Sequence, residues 1–305
     1  MTAGRTNWVS RLGAVLVILS AVAPAQSRVP ETEVTVDWGK VTLSKSTPTL
    51  QVVVNPMLLR GAKMHDGSFA ALHALGADYV RYLPWLPYPK QAVAEMEAPA
   101  ESKTSWDFSH IDRTLDDFMN AIEGHSVIPN FSTIPAWMFK TERPVPYPQD
   151  PNKVFWDYTQ RTELRDPSMK EVLQYFARLL SWYTKGGLTD ENGKWHESGH
   201  HYKVPYWEVL NEIELEHHWS VEHYIQFYDA VTKEMLKVDP QLKFIGLALA
   251  QPDWFPICSS ISLIPRTTER TPRWISSVIT SMRAQPLTRI LEIGNTVFSR
   301  KPMAF

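Results

Sequence analysis

Glu212 stands with Asn211 at the end of a short run, Tyr206-Trp207-Glu208-Val209-Leu210, whose aromatic and branched residues have the composition of a strand buried on both faces. A carboxylic acid at a strand end, backed by an amide and followed by the aromatics and acids that run to Trp219, has the equipment to protonate a leaving group. The same Glu212 could instead open the next helix, where the helix dipole favours an acid. Other side chains could do chemistry as well. His200-His201 and His217-His218 with Glu216 raise the question of a metal, but adjacent histidines point in different directions and no His-x-x-x-His spacing occurs, so no metal and no cofactor is expected. Asn130-Phe131-Ser132 is formally a glycosylation acceptor, yet it falls in a strand, and Asn130 is expected to point at a pocket instead. Trp85 and Trp137 sit just beyond two strands, as flat platforms for a ring or as loop packing.

The elements that must position these residues alternate. Leu50 to Asn55, Ala77 to Leu83, Ser126 to Ser132, Tyr206 to Leu210 and Lys243 to Leu249 read as strands. Between them, helices are expected over Ser68 to Leu75 with a stop at Gly76, from Ser109 to Gly124, over Met169 to Trp182, and after a Ser220 cap. This is the β-α-β order of a parallel sheet, in which ligands collect beyond the carboxyl ends of the strands. A small hairpin over 31–43, turning at Gly39-Lys40, precedes the first strand.

Composition bounds the class. The chain has 305 residues, 44% of them hydrophobic and 11% aromatic, with net charge −2, which suits one large globular domain and gives no electrostatic case for nucleic acid. The single cysteine, Cys258, excludes an internal disulfide framework. Arg5 and Arg11, the apolar run Leu12 to Ala23 and the small residues Ala23-Pro24-Ala25 read as a secretory signal over 1–25, with a signal anchor as the alternative. A secreted or lumenal protein with no stable membrane anchor is therefore expected. Oligomeric state is not legible.

On these residues the chain resembles the retaining (β/α)8-barrel glycoside hydrolases, and glycoside hydrolase family 39 most closely, the family of β-xylosidase and α-L-iduronidase. The resemblance covers roughly 50–255 in the order of elements and is sharpest from Tyr206 to Trp219, with Val80-Arg81 before it and Lys243-Phe244-Ile245-Gly246 after. It implies an α/β TIM barrel over 26–255 and a carbohydrate or glycoside substrate. It also implies Glu212 as general acid/base, Asn211 on the sugar 2-hydroxyl, and Arg81 as the second-strand arginine that helps hold the nucleophile. Asn130, Trp85 and Trp137 are the further candidates for substrate contact. The chain departs from the family with Ile213 where proline is common and Leu83 where some members have a sugar-binding histidine, which leaves the substrate open.

The barrel is expected to be incomplete. About five β/α units are legible, and the family's nucleophile is a glutamate at the end of a seventh strand. Glu292 arrives too soon after the fifth strand to fill that place. The tail, 256–305, holds seven of the 31 basic residues, two of the 33 acidic ones and no tyrosine. Read one frame over from Arg273/Trp274, its codons admit Leu-Asp-Phe-Ile-Ser-Tyr-His-Phe-Tyr-Ala-Ser-Pro, which looks like the family's sixth strand, so the tail reads as out of frame. The alternative function is accordingly a non-catalytic carbohydrate-binding pseudoenzyme, or an inactive truncated product lacking the nucleophile.

Overall fold

The computed structural model describes residues 35, 37, 39, 49–85, 87–155 and 162–250, and the backbone of a strand over 274–279. The chain divides into two units, Met1–Ser46 and Thr47–Phe305. In the first, the Gly39 amide donates to Asp37 Oδ1 at 2.9 Å, a local turn. The rest of the hairpin expected over 31–43 lies outside the described residues, as do residues 1–25, where a signal segment is expected, Cys258 and Glu292.

In the second unit, β-branched and aromatic residues build parallel strands β1 (Thr49–Val54), β2 (Tyr79–Pro84) and β3 (Ser126–Pro129), hydrogen-bonded in that order. Their register pairs Gln51 with Arg81 and Arg81 with Ile128. After a two-stranded antiparallel hairpin, β4 (Gly187–Thr189) with β5 (Trp195–Glu197), a second parallel sheet follows: β6 (Tyr206–Glu208), β7 (Lys243–Leu249) and β8 (Trp274–Ile279). The structure is mixed α/β, and among the described residues the six parallel strands form two three-stranded sheets and no closed barrel. At the break, β3 and β6 are joined by side chains. Asn130 Nδ2 donates to the Leu210 carbonyl at 3.1 Å, and Phe131 stacks on Trp207 with centroids 5.7 Å apart.

Helices link successive strands, and their apolar residues recur at helical spacing. α1 (His65–Leu75) buries Phe69 and Leu72 and ends at Gly76, which takes the left-handed conformation a C-terminal cap requires (φ 54°). α2 (Ile111–Ala121) buries Ile111, Thr114, Leu115 and Phe118. Ser109, expected to start it, is instead the end of a turn in which its amide donates to Asp107 Oδ1 at 2.9 Å. α3 (Lys170–Thr184) buries Val172, Tyr175, Phe176, Leu179, Leu180 and Tyr183. The short α4 (Ile213–Glu216) precedes α5 (Val221–Val238), which Ser220 caps by accepting from the His223 amide at 3.2 Å.

The period of two along each strand separates two chemistries. Tyr82 packs on Phe118 of α2 at 4.7 Å and Phe131 stacks with Tyr183 of α3 at 5.8 Å, so this face looks to the helices and is apolar. On the opposite face Tyr79 meets Tyr206 edge to face at 5.8 Å, one residue pair before Arg81 meets Glu208. Much of the aromatic richness goes into packing: Trp207, Trp219, Phe176 and Phe227 are fully buried.

The hairpin between α3 and β6 was not legible as such in the Gly- and His-rich loop 186–203. It rests on two glycines. A Cβ at Gly187 would meet the His196 carbonyl at 2.2 Å, and one at Gly186 (φ 85°) would meet the His201 ring at 2.7 Å, whereas Gly193 at the hairpin tip has nothing within 4 Å.

Candidate active site

Where β6 ends, the chain turns a corner that neither strand nor helix provides. Leu210 (φ 59°) and Glu212 (φ 44°) are both left-handed, flanking Asn211, and the Glu212 amide donates to the Ala248 carbonyl of β7 at 2.6 Å. Left-handed backbone is costly for residues with a Cβ, and it persists where the surroundings over-determine it. Tyr224 of α5 adds to that hold, its hydroxyl donating to the Val209 carbonyl at 3.0 Å. Glu212 thus occupies the position that opens α4, as the simpler reading had it, but its side chain makes no capping bond there.

The polar face converges on this corner. Arg81 of β2, only 3% exposed, donates through Nε to Glu208 Oε2, through Nη2 to Asn211 Oδ1 at 2.8 Å and through Nη1 to Gln51 Oε1 at 2.5 Å. Asn130, fully buried just past β3, donates to the same Glu208 oxygen at 2.7 Å. Asn211 passes the chain on, its Nδ2 donating to Glu216 Oε1 at 2.9 Å. Four of the six residues expected at the site, Arg81, Asn130, Asn211 and Glu212, therefore lie together. Burial of Asn130-Phe131-Ser132 also removes it as a glycosylation acceptor.

Four carboxyl groups, on Glu208, Glu212, Glu214 and Glu216, fall within nine residues, and all four residues except Glu216 are buried. Glu216 is partly exposed as a residue, but its Oε2 is out of solvent. Burial pushes the Glu212 carboxyl above the usual range, the neighbouring Glu214 pushes the same way, and Arg81 pulls against both. For Glu216, burial is again the main cause. The Asn211 hydrogen bond and Arg81 oppose it, Glu212 and Glu214 reinforce it, and the group ends at about 8. Glu208 Oε1 and Glu212 Oε1 are buried with no hydrogen-bond partner among the described residues.

The Trp85 carbonyl closes a turn by accepting from the Tyr88 amide at 3.1 Å. Trp137 donates its indole N–H to the Glu95 carbonyl at 2.9 Å and carries Arg165 4.4 Å over its ring. It lines a cleft of about 930 Å³ with Phe139, Tyr147, Lys90 and Arg143, and neither Glu212 nor Arg81 is among the described residues of that lining. Phe139 stacks on His217, with centroids 5.4 Å apart.

The histidines disperse: His200 lies 3.4 Å from Asp112 and 3.7 Å from Asp116, while His218 is exposed. Among the described residues no three His, Cys, Asp or Glu side chains gather as metal ligands. None of the described helices is long and apolar enough to cross a membrane.

Sequence reasoning missed Glu208 and Gln51, and considered Glu216 only beside the histidines. A glutamate inside a run otherwise suited to burial on both faces was the available signal, because a buried charge requires a partner.

No family model matches the sequence, and no curated protein matches it. Solved structures similar to it include a monomeric β-xylosidase from Caulobacter crescentus CB15, at 16% identity over 70% of this chain and 38% of that one, TM-score 0.46. A GH39 enzyme from Xanthomonas axonopodis pv. citri gives 16% identity over 70% and 37%, TM-score 0.46. A family 51 α-L-arabinofuranosidase from Bifidobacterium longum gives 13% over 67% and 38%, TM-score 0.38. The chain spans less than half the length of these proteins.

Proposed function

We propose that this chain is built as a glycosidase acting on O-glycosidic bonds with retention, Glu212 donating a proton to the glycosidic oxygen and then taking one from the attacking water. The observation that carries this reading is the setting of Glu212. It is a strand-end carboxyl, 9% exposed, whose proton is favoured by burial and by Glu214, beside an Asn211 locked by Arg81. An acid so placed stays protonated at a pH where an ordinary glutamate has ionised, as a proton donor must. Asn211 is the proposed contact to the sugar 2-hydroxyl, with Arg81 and Asn130 holding the surrounding polar face. Trp85 and Trp137 are the proposed ring platforms. With 1–25 as a secretory signal, the proposed activity is extracellular or lumenal.

A second reading, sugar binding without turnover, is favoured by the carboxylates themselves. A retaining enzyme sets two carboxyl groups about 5–5.5 Å apart on separate elements. The acid acting on Glu212 among the described residues, Glu214, belongs to its own segment, and Glu208 is committed to Arg81 and Asn130. Assay of the full chain on aryl glycosides decides. Turnover that Glu212→Gln abolishes supports hydrolysis, since glutamine keeps the shape but cannot donate the proton. Saturable sugar binding with no turnover supports the second reading, and the absence of both removes the carbohydrate assignment.

A further inference from the structure

We propose that Glu208 is a positioning residue for the acid: one carboxylate oxygen on β6 holds both the β2 guanidinium and the β3 amide, and answers the cationic charge that stands behind Asn211 and Glu212. The proposal rests on Glu212 as the proton donor and adds a residue that no sequence motif pointed to.

Glu208 Oε2 is shared. Arg81 Nε and Asn130 Nδ2 both donate to it, from β2 and from just past β3 on one side of the break between the sheets, while Glu208 itself stands on the other. Glu208 is fully buried, so no water screens the pair. Fixing Arg81 at Nε aims its Nη2 at Asn211 Oδ1, and Asn211 is the residue directly before the acid. Asn130, fixed by the same oxygen, turns its second contact to the Leu210 carbonyl, on the left-handed corner that presents Glu212. Leu210 and Asn211 of the corner are thus both tied through one atom.

The charges make Glu208 more than a brace. The groups acting on Glu212 are Glu214, which favours its proton, and Arg81, which disfavours it; Glu216 is coupled to the same set. A bare guanidinium next to Glu212 would draw off its proton. Glu208 is the carboxylate in salt-bridge contact with Arg81, and its negative charge opposes that pull, leaving only part of it at Glu212, while the guanidinium keeps its grip on Asn211.

The test is a carbon-13 titration of the full chain labelled at glutamate side-chain carboxyls, the Glu212 resonance being assigned by its loss in Glu212→Gln. Glu208→Gln leaves Arg81 uncompensated and is expected to lower the Glu212 midpoint by about one pH unit, while Arg81→Met raises it by a similar amount. The double variant Glu208→Gln/Arg81→Met, which leaves neither charge, is expected to return to within a few tenths of wild type. It carries the test alone if a single variant fails to fold. A Glu208→Gln midpoint equal to wild type, or a double variant about one unit above wild type, overturns the proposal. Turnover on aryl glycosides is measured in parallel. A wild-type chain without turnover removes the hydrolytic reading but leaves the titration to decide the role of Glu208, and an unshifted titration with intact turnover does the reverse.

Discussion

Arg81 Nη2 donates to Asn211 Oδ1 at 2.8 Å, joining residues 130 positions apart in the chain. The bond links the central strand of the first parallel sheet to the corner beyond β6, across the break between the two three-stranded sheets of the described residues. The guanidinium therefore carries structural load as well as chemistry.

Removing it should be costly. Arg81→Met leaves Glu208 buried without its cation and Asn211 without its donor, and loss of one member of a buried pair costs about 3–5 kcal/mol. Urea unfolding of the two proteins measures this. Arg81→Lys should rescue little, since one ammonium cannot reach Glu208, Asn211 and Gln51 in the same geometry.

Stability should fall as pH rises from about 4.5 to 9. Glu95 is pushed up to about 9, by burial first and then by Glu191, and Glu216 to about 8. In the unfolded chain both ionise near 4.5, as an ordinary glutamate does. Between these limits the folded state binds more protons than the unfolded one, so the free energy of unfolding decreases with pH. Thermal melts across pH 5 to 9 should show the decline, and Glu95→Gln should flatten it. Below pH 4 the sign reverses at Asp117, where bonds to Arg60 and His65 outweigh burial and hold the pKa down.

His218 is exposed and left-handed, with φ 53°. Glycine adopts that conformation without strain, so His218→Gly is expected to stabilise the protein by about 0.5–1 kcal/mol in denaturant titrations, with no effect on sugar binding. A destabilised variant would mean that the ring makes contacts worth more than the backbone relief.

Ser220→Ala removes the cap of the longest helix, leaving the His223 amide without its acceptor, and should cost about 1 kcal/mol. Ser220→Thr keeps the hydroxyl and should retain most of the stability. Both are read from the urea midpoint.

Strand order and helix spacing were legible because burial imposes periods that survive in the sequence. β1, β2, β3 and β7 fall where continuous apolar runs placed them, and α1, α3 and α5 where residues three and four apart are apolar. β6 is shorter than its run Tyr206 to Leu210, because the left-handed corner takes over before Asn211. Backbone of that kind has no signature in side chains with a Cβ. The antiparallel hairpin was hidden for a related reason: three-residue strands are too short to display alternation. At the site, Arg81, Asn130, Asn211 and Glu212 could be picked out from strand ends. Glu208 carried a signal, a charge inside an apolar run, but not the identity of its partners, because these come from two other strands brought up to it by tertiary folding.

The bare glycine faces beneath the β4–β5 hairpin, set against the open space round Gly193, leave this excursion with a welded root and a free crown. A reporter or an epitope could be inserted at this tip without prising the stem from its seat, provided that Gly193 is kept, because its φ of 79° strains any residue with a Cβ. Extra length at Gly186 or Gly187 would lift the whole appendage away.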